Sequence, residues 1–100
     1  MYVVLLRYPA PGAIEPYRAA HRAFIAKAVE QGRILVSGPM EPRTGGVIVT
    51  TASTRAEVEA LIAEDPYHQA GVATHEPIQF LALNGTAAAA LETRAPHIKK

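Results

Sequence analysis

Apolar residues run unbroken from Tyr2 to Leu6, and β-branched and aromatic types predict a first strand over residues 2–8. Pro9, Ala10, Pro11 and Gly12 then break the chain into a loop. Beyond them the period changes. Tyr17, His21, Phe24, Ile25, Ala28 and Val29 recur at helical spacing and predict one apolar stripe. That helix opens with Pro16 at its first position and closes at Gly32, which suits a left-handed cap. Arg18, one helical step from His21, reads as a solvated charge on the helix face.

Residues 33–37 predict a second strand, ended by Gly38-Pro39, and residues 47–51 a third. The turn-rich connection from Glu41 to Gly46 favours a hairpin between them. Ser53 or Thr54 can cap the next helix, and Thr54 with Glu57 has the spacing of a capping box. Val58, Leu61 and Ile62 supply its buried stripe, and Asp65-Pro66 stops it, because the residue before proline is driven out of helical geometry. Residues 66–73 read as a turn or a short helical piece, and residues 78–83 as the last strand. Residues 84–100 hold few large apolar groups and read as an extension, either a peripheral helix or a partly ordered tail, that is dispensable for folding.

The order βαββαβ with a central hairpin predicts an α+β, ferredoxin-like domain over residues 1–83: a four-stranded antiparallel sheet with two helices on one face. The first strand, however, is apolar on both sides, with Tyr2, Val4 and Leu6 opposite Val3 and Leu5. The same alternation at residues 78–83 leaves an uncovered apolar face, which predicts a sheet-to-sheet homodimer. The competing arrangement folds the C-terminal segment back over that face.

Composition narrows the function classes. A formal net charge of +1 and a third strand without aromatic or basic residues argue against nucleic-acid binding. The absence of cysteine excludes thiol nucleophiles, thiolate zinc sites and iron–sulfur clusters. The first strand is too short for a signal h-region and has no basic residues before it, and no apolar run is long enough to cross a bilayer. The expected setting is the cytoplasm, with no membrane partner.

Of the four histidines, His21 alone sits on an apolar helix stripe. A histidine there is either a hydrogen-bonded core residue or a general acid/base, since imidazole titrates near neutral pH. Asp65 is its candidate partner, although Asp before Pro is also an ordinary turn signal. His68 and His75 flank the same region without a zinc-binding pattern, so no metal is expected. Arg7 stands either toward an anion or at the sheet rim, and Ser37 lacks the glycine pattern of a nucleophile elbow.

Arg18-x-x-His21-x-x-Phe24, Gly32, Ser37-Gly38-Pro39 and Asp65-Pro66-Tyr67-x-x-Ala70-Gly71, in that order, resemble the YCII-related domain. The resemblance implies a dimeric α/β barrel with the sheets of two subunits face to face. It also implies a His21–Asp65 pair lining a small pocket. The resulting expectation is a small enzyme that transfers a proton, in an elimination or isomerisation, on a compact organic molecule. His21 would act as acid/base, Asp65 would orient it, and Arg7, Ser37 and Tyr67 would contact the small-molecule ligand, with no cofactor. The rival reading is a non-catalytic dimer that binds a small ligand or a partner through the same pocket.

Overall fold

The computed structural model describes residues 1–88. Strands β1 (Tyr2–Arg7), β2 (Ile34–Pro39), β3 (Gly45–Thr50) and β4 (Thr74–Gln79) form one antiparallel sheet in the order β2-β3-β1-β4. Helices α1 (Arg18–Glu30), α2 (Arg55–Ala63) and α3 (Pro66–Gln69) connect them, giving the ferredoxin-like α+β arrangement. Antiparallel partners share a sheet face. Tyr2, Val4 and Leu6 therefore lie on the face occupied by Thr50, Ile48 and Gly46 of β3, and by Gln79, Pro77 and His75 of β4. Tyr2, Val4, Leu6, Ile34 and Ile48 are buried there against Ala28 of α1, Val58 and Leu61 of α2 and Tyr67 of α3.

The helix signals in the sequence act as expected. At the end of α1, Gly32 has φ 74°, its N–H donates to Val29 and that of Arg33 donates to Ala28. This paired closure needs a positive φ and explains the glycine. At the start of α2, Thr54 and Glu57 form the reciprocal capping box. Asp65 caps α3, Pro66 takes its first position, and Gly71 with φ 69° closes it. The Asp-Pro-x-x-x-x-Gly run is thus a complete start and stop for one helical turn.

Three expectations are corrected. The loop after β1 is wound into a 3-10 segment, Pro11–Tyr17, so α1 begins at Arg18 and not at Pro16. The inward arc of α1 accordingly takes in Arg18, while Tyr17 and Val29 are exposed at its margins. The last strand is residues 74–79 and not 78–83. Apolar content drew the sequence reading toward Phe80, Leu81 and Leu83, but the ladder follows β1, which starts at Tyr2 opposite Gln79. The polar Thr74, His75 and Glu76 belong to the strand, and Pro77 is tolerated because β4 is an edge. The predicted extension lies partly outside the described residues.

Gly45 lies where β3 crosses β1, and a Cβ there would overlap the Leu6 carbonyl oxygen. Gly38 has open space at the same position. Gly45→Ala should therefore cost about 2–3 kcal/mol in urea unfolding, by overpacking against backbone. Gly38→Ala should stay within about 0.5 kcal/mol of the parent.

Candidate active site

Asp65 is fully buried, and both of its oxygens are engaged. Oδ1 accepts the Tyr67 N–H at 2.9 Å, the bond that caps α3, and lies 2.7 Å from His21 Nδ1. Oδ2 lies 2.8 Å from His75 Nε2. A carboxylate can only accept, so the proton sits on Nδ1 in His21 and on Nε2 in His75. The structure thus joins three elements, α1, β4 and the α2–α3 junction, at one carboxylate. Burial pushes this carboxyl up, but hydrogen bonds from His21, His75 and the Tyr67 amide, together with the His21 charge, outweigh it and hold it at about 2.

The His21 ring is held on its faces as well. Tyr67 stacks on it at 3.9 Å and 3°. Phe24 flanks it at 6.3 Å, and Tyr8 meets Tyr67 edge-on at 5.7 Å. Nδ1 is turned to the buried carboxylate, which leaves Nε2 on the opposite edge of the ring, and His21 is one of the residues lining a cavity of about 450 Å³. This cavity lies on the helix side of the sheet, under α1. Leu6, Ile14, Ile25 and Ile48 form its apolar walls, and Tyr8, Ser37 and Tyr67 bring hydroxyl-bearing side chains to it. Burial raises the pKa of both Tyr8 and Tyr67, so each hydroxyl remains a proton donor across the physiological range.

Of the residues singled out in the sequence, His21, Asp65, Tyr67 and Ser37 converge here, Asp65 from behind the histidine and Ser37 from the β2 wall. Arg7 does not join them. It is exposed on the opposite sheet face, paired with Gly45 and Thr74, with its nearest polar contact the sulfur of Met40 at 4.0 Å. Sequence reading missed His75, whose side chain is 2% exposed, because its strand was placed too late in the chain. A strand at 74–79 would have put His75 on the core face with Leu6. Arg18, read as solvated, lines the cavity beside Arg22 and Arg43. Among the described residues no cluster of His, Asp and Glu is arranged to hold a metal ion. The two imidazoles are bonded to the carboxylate and do not converge with it on a common point.

A ferredoxin-like domain with a histidine and a buried aspartate under its first helix is the class that fold and site define. The YCII-related domain model matches residues 1–81, and the chain belongs to that family. Among solved structures, it is similar to 5-chloro-2-hydroxyhydroquinone dehydrochlorinase (TftG) from Burkholderia phenoliruptrix, in complex with 2,5-dihydroxybenzoquinone. The TM-score is 0.65 with 22% identity, covering 80% of this chain and 93% of that one, a likeness of fold. No curated protein sequence matches.

The Asp65 carboxyl falls from an ordinary value of 3.8 to about 2 on folding, so its ionised form stabilises the native state. That contribution, about 2 kcal/mol, is complete above pH 4 and is lost as the pH drops toward 2. Carbon NMR of the Asp65 carboxyl should show its inflection near 2, and unfolding midpoints should fall over the same interval. An inflection near 4 would show that the two histidines do not support the carboxylate.

Proposed function

We propose that this domain is an enzyme that moves a proton on a compact organic molecule bound beneath α1, in an elimination or an isomerisation. One observation carries this reading: His21 spends Nδ1 on a buried carboxylate at 2.7 Å, leaves Nε2 without a protein partner among the described residues, and lines a cavity of ligand size. Nε2 then takes a proton from the bound molecule, and the imidazolium formed is stabilised by Asp65. In an elimination the released electron pair forms the new double bond, and the leaving group departs with its own bonding pair. In an isomerisation His21 returns the proton to a different atom. Neither path requires a cofactor. The name of the structural neighbour, a dehydrochlorinase solved with a dihydroxybenzoquinone, supports an elimination on a small ring. Tyr67 and Ser37 serve as ligand contacts, while Arg7 stands on the other face and has no such part.

The enzyme works as a homodimer in this proposal, sheet to sheet as in a dimeric α/β barrel. Supporting it are Val3, Leu5, Val47 and Val49, half-buried on the face away from the helices, with Val36 and Ile78 exposed at its flanks. An apolar surface of this kind on a small domain is characteristic of an interface.

His21→Asn keeps a donor for Asp65 and removes Nε2. On a substrate found by screening small organic acids and phenols, it should lower kcat about 10²–10⁴-fold with the fold retained by circular dichroism. Undiminished turnover would remove His21 from the chemistry, and ligands that bind and are recovered unchanged by the parent protein would leave a binding module in place of an enzyme.

Sedimentation at micromolar concentration should give a dimer, and Val36→Glu should shift it to a folded monomer. A monomeric parent protein would overturn the dimer.

A further inference from the structure

The cavity carries a charge pattern that the acid/base pair does not use. Arg18, Arg22 and Arg43 all line it, and among its described lining residues none is acidic. Arg18, His21 and Arg22 fall at i, i+3 and i+4 on α1, neighbouring positions on one helix face. The proposed base therefore shares one face of α1 with two arginines that line the same cavity. Arg43 comes from the β2–β3 connection, on a different element.

Arg18 is the most constrained of the three. One terminal nitrogen is held by Glu15 at 2.8 Å, on the exposed side. Its Nε is buried and finds no acceptor among the described residues. A buried donor without a partner is costly, and one on a cation more so. The group that satisfies it best is an oxyanion, because guanidinium–oxyanion bonds are charge-assisted and can be bidentate. Around that cation the walls are aliphatic and aromatic, and the two tyrosine hydroxyls remain protonated donors.

We propose that the ligand of this cavity is a planar ring compound bearing an oxyanion, a ring carboxylate, held by Arg18 with Arg22 and Arg43 while its reacting edge meets His21. This deepens the catalytic reading and rests on it for the role of His21, but the selectivity belongs to the arginines. The carboxylate would meet the Arg18 guanidinium from the cavity side, and the ring would occupy the space between Ile25, Ile48 and Tyr67. A neutral ring of the same shape gains the apolar contacts and leaves the buried donor unsatisfied. The preference for the anion is thus a property of the binding step and precedes any chemistry.

Binding can be read without turnover by calorimetry, using 2,5-dihydroxybenzoate and its neutral counterpart 2,5-dihydroxybenzamide as probes. The parent protein should bind the acid at least about tenfold more tightly than the amide, from one charge-assisted contact in a partly enclosed site. Arg18→Gln should abolish most of that preference and leave the affinity for the amide unchanged. Arg43→Gln, on another element, should reduce it in the same sense and serves if Arg18→Gln does not fold. His21→Asn should retain the preference whether or not it retains turnover, which separates failure of this proposal from failure of the catalytic reading. Equal affinity for the two probes, a preference that survives both arginine substitutions, or binding of neither probe at millimolar concentration would overturn it.

Discussion

A single buried carboxylate holds together the helix α3, the orientation of His21 and the inner side of strand β4. Asp65 has no contact with solvent and would be expensive to bury as an ion if its oxygens were free. They are not. A backbone N–H and two imidazole N–H groups converge on them at 2.7–2.9 Å, which keeps the charge inside the fold at a low pKa. The capping bond is local, from a residue two positions away, and shapes the turn in which Asp65 stands. The two histidine bonds reach 44 and 10 residues along the chain and require α1 and β4 to be docked at once. His68, edge-on to His75 at 5.5 Å, packs the far side of the cluster. Removing the carboxylate would therefore loosen a helix cap, a core strand and the proposed base together.

The two faces of the sheet differ in chemistry. On the helix side α1 does not close fully onto the β2–β3 hairpin, and the space left is walled by aliphatic side chains with hydroxyl groups and arginines at chosen points. Small-molecule sites are commonly built this way, mostly apolar with a few directed polar groups. The rigidity of the polar groups matters as much as their identity. His21 is held by a carboxylate on one edge and by Tyr67 on one face, so little reorganisation stands between the resting structure and a proton transfer. The other sheet face carries valine, leucine and isoleucine with no polar cluster of comparable order among the described residues. Its chemistry suits association.

His75 shows what a second histidine adds. It donates Nε2–H to the aspartate from a fully packed position, while its Nδ1 has no partner among the described residues. That arrangement fills the second carboxylate oxygen without offering another exposed base. Asp65 is left with one neighbour that faces the cavity, His21, and one that does not. The asymmetry assigns the two imidazoles different work despite nearly equal distances to the same side chain.

Local patterns in the sequence determined the order of elements, the βαββαβ class, both helix caps, and the pairing of a helix histidine with an Asp-Pro turn in the resemblance to the YCII-related family. These are short-range facts: strand alternation, helical period, and glycines where φ must be positive. Where the last strand begins was decided elsewhere. Residues 74–76 are polar, and only the ladder with β1 makes them a strand, turning His75 inward opposite Leu6. Arg18 is likewise an ordinary helix-face arginine until the 3-10 segment before it sets the phase of α1 and swings it over the cavity. Cap and period are encoded within a few residues and survive reading one residue at a time. The register of β4 depends on β1, at the other end of the domain, and the phase of α1 depends on how the segment before it packs, and both exist only once the chain has folded.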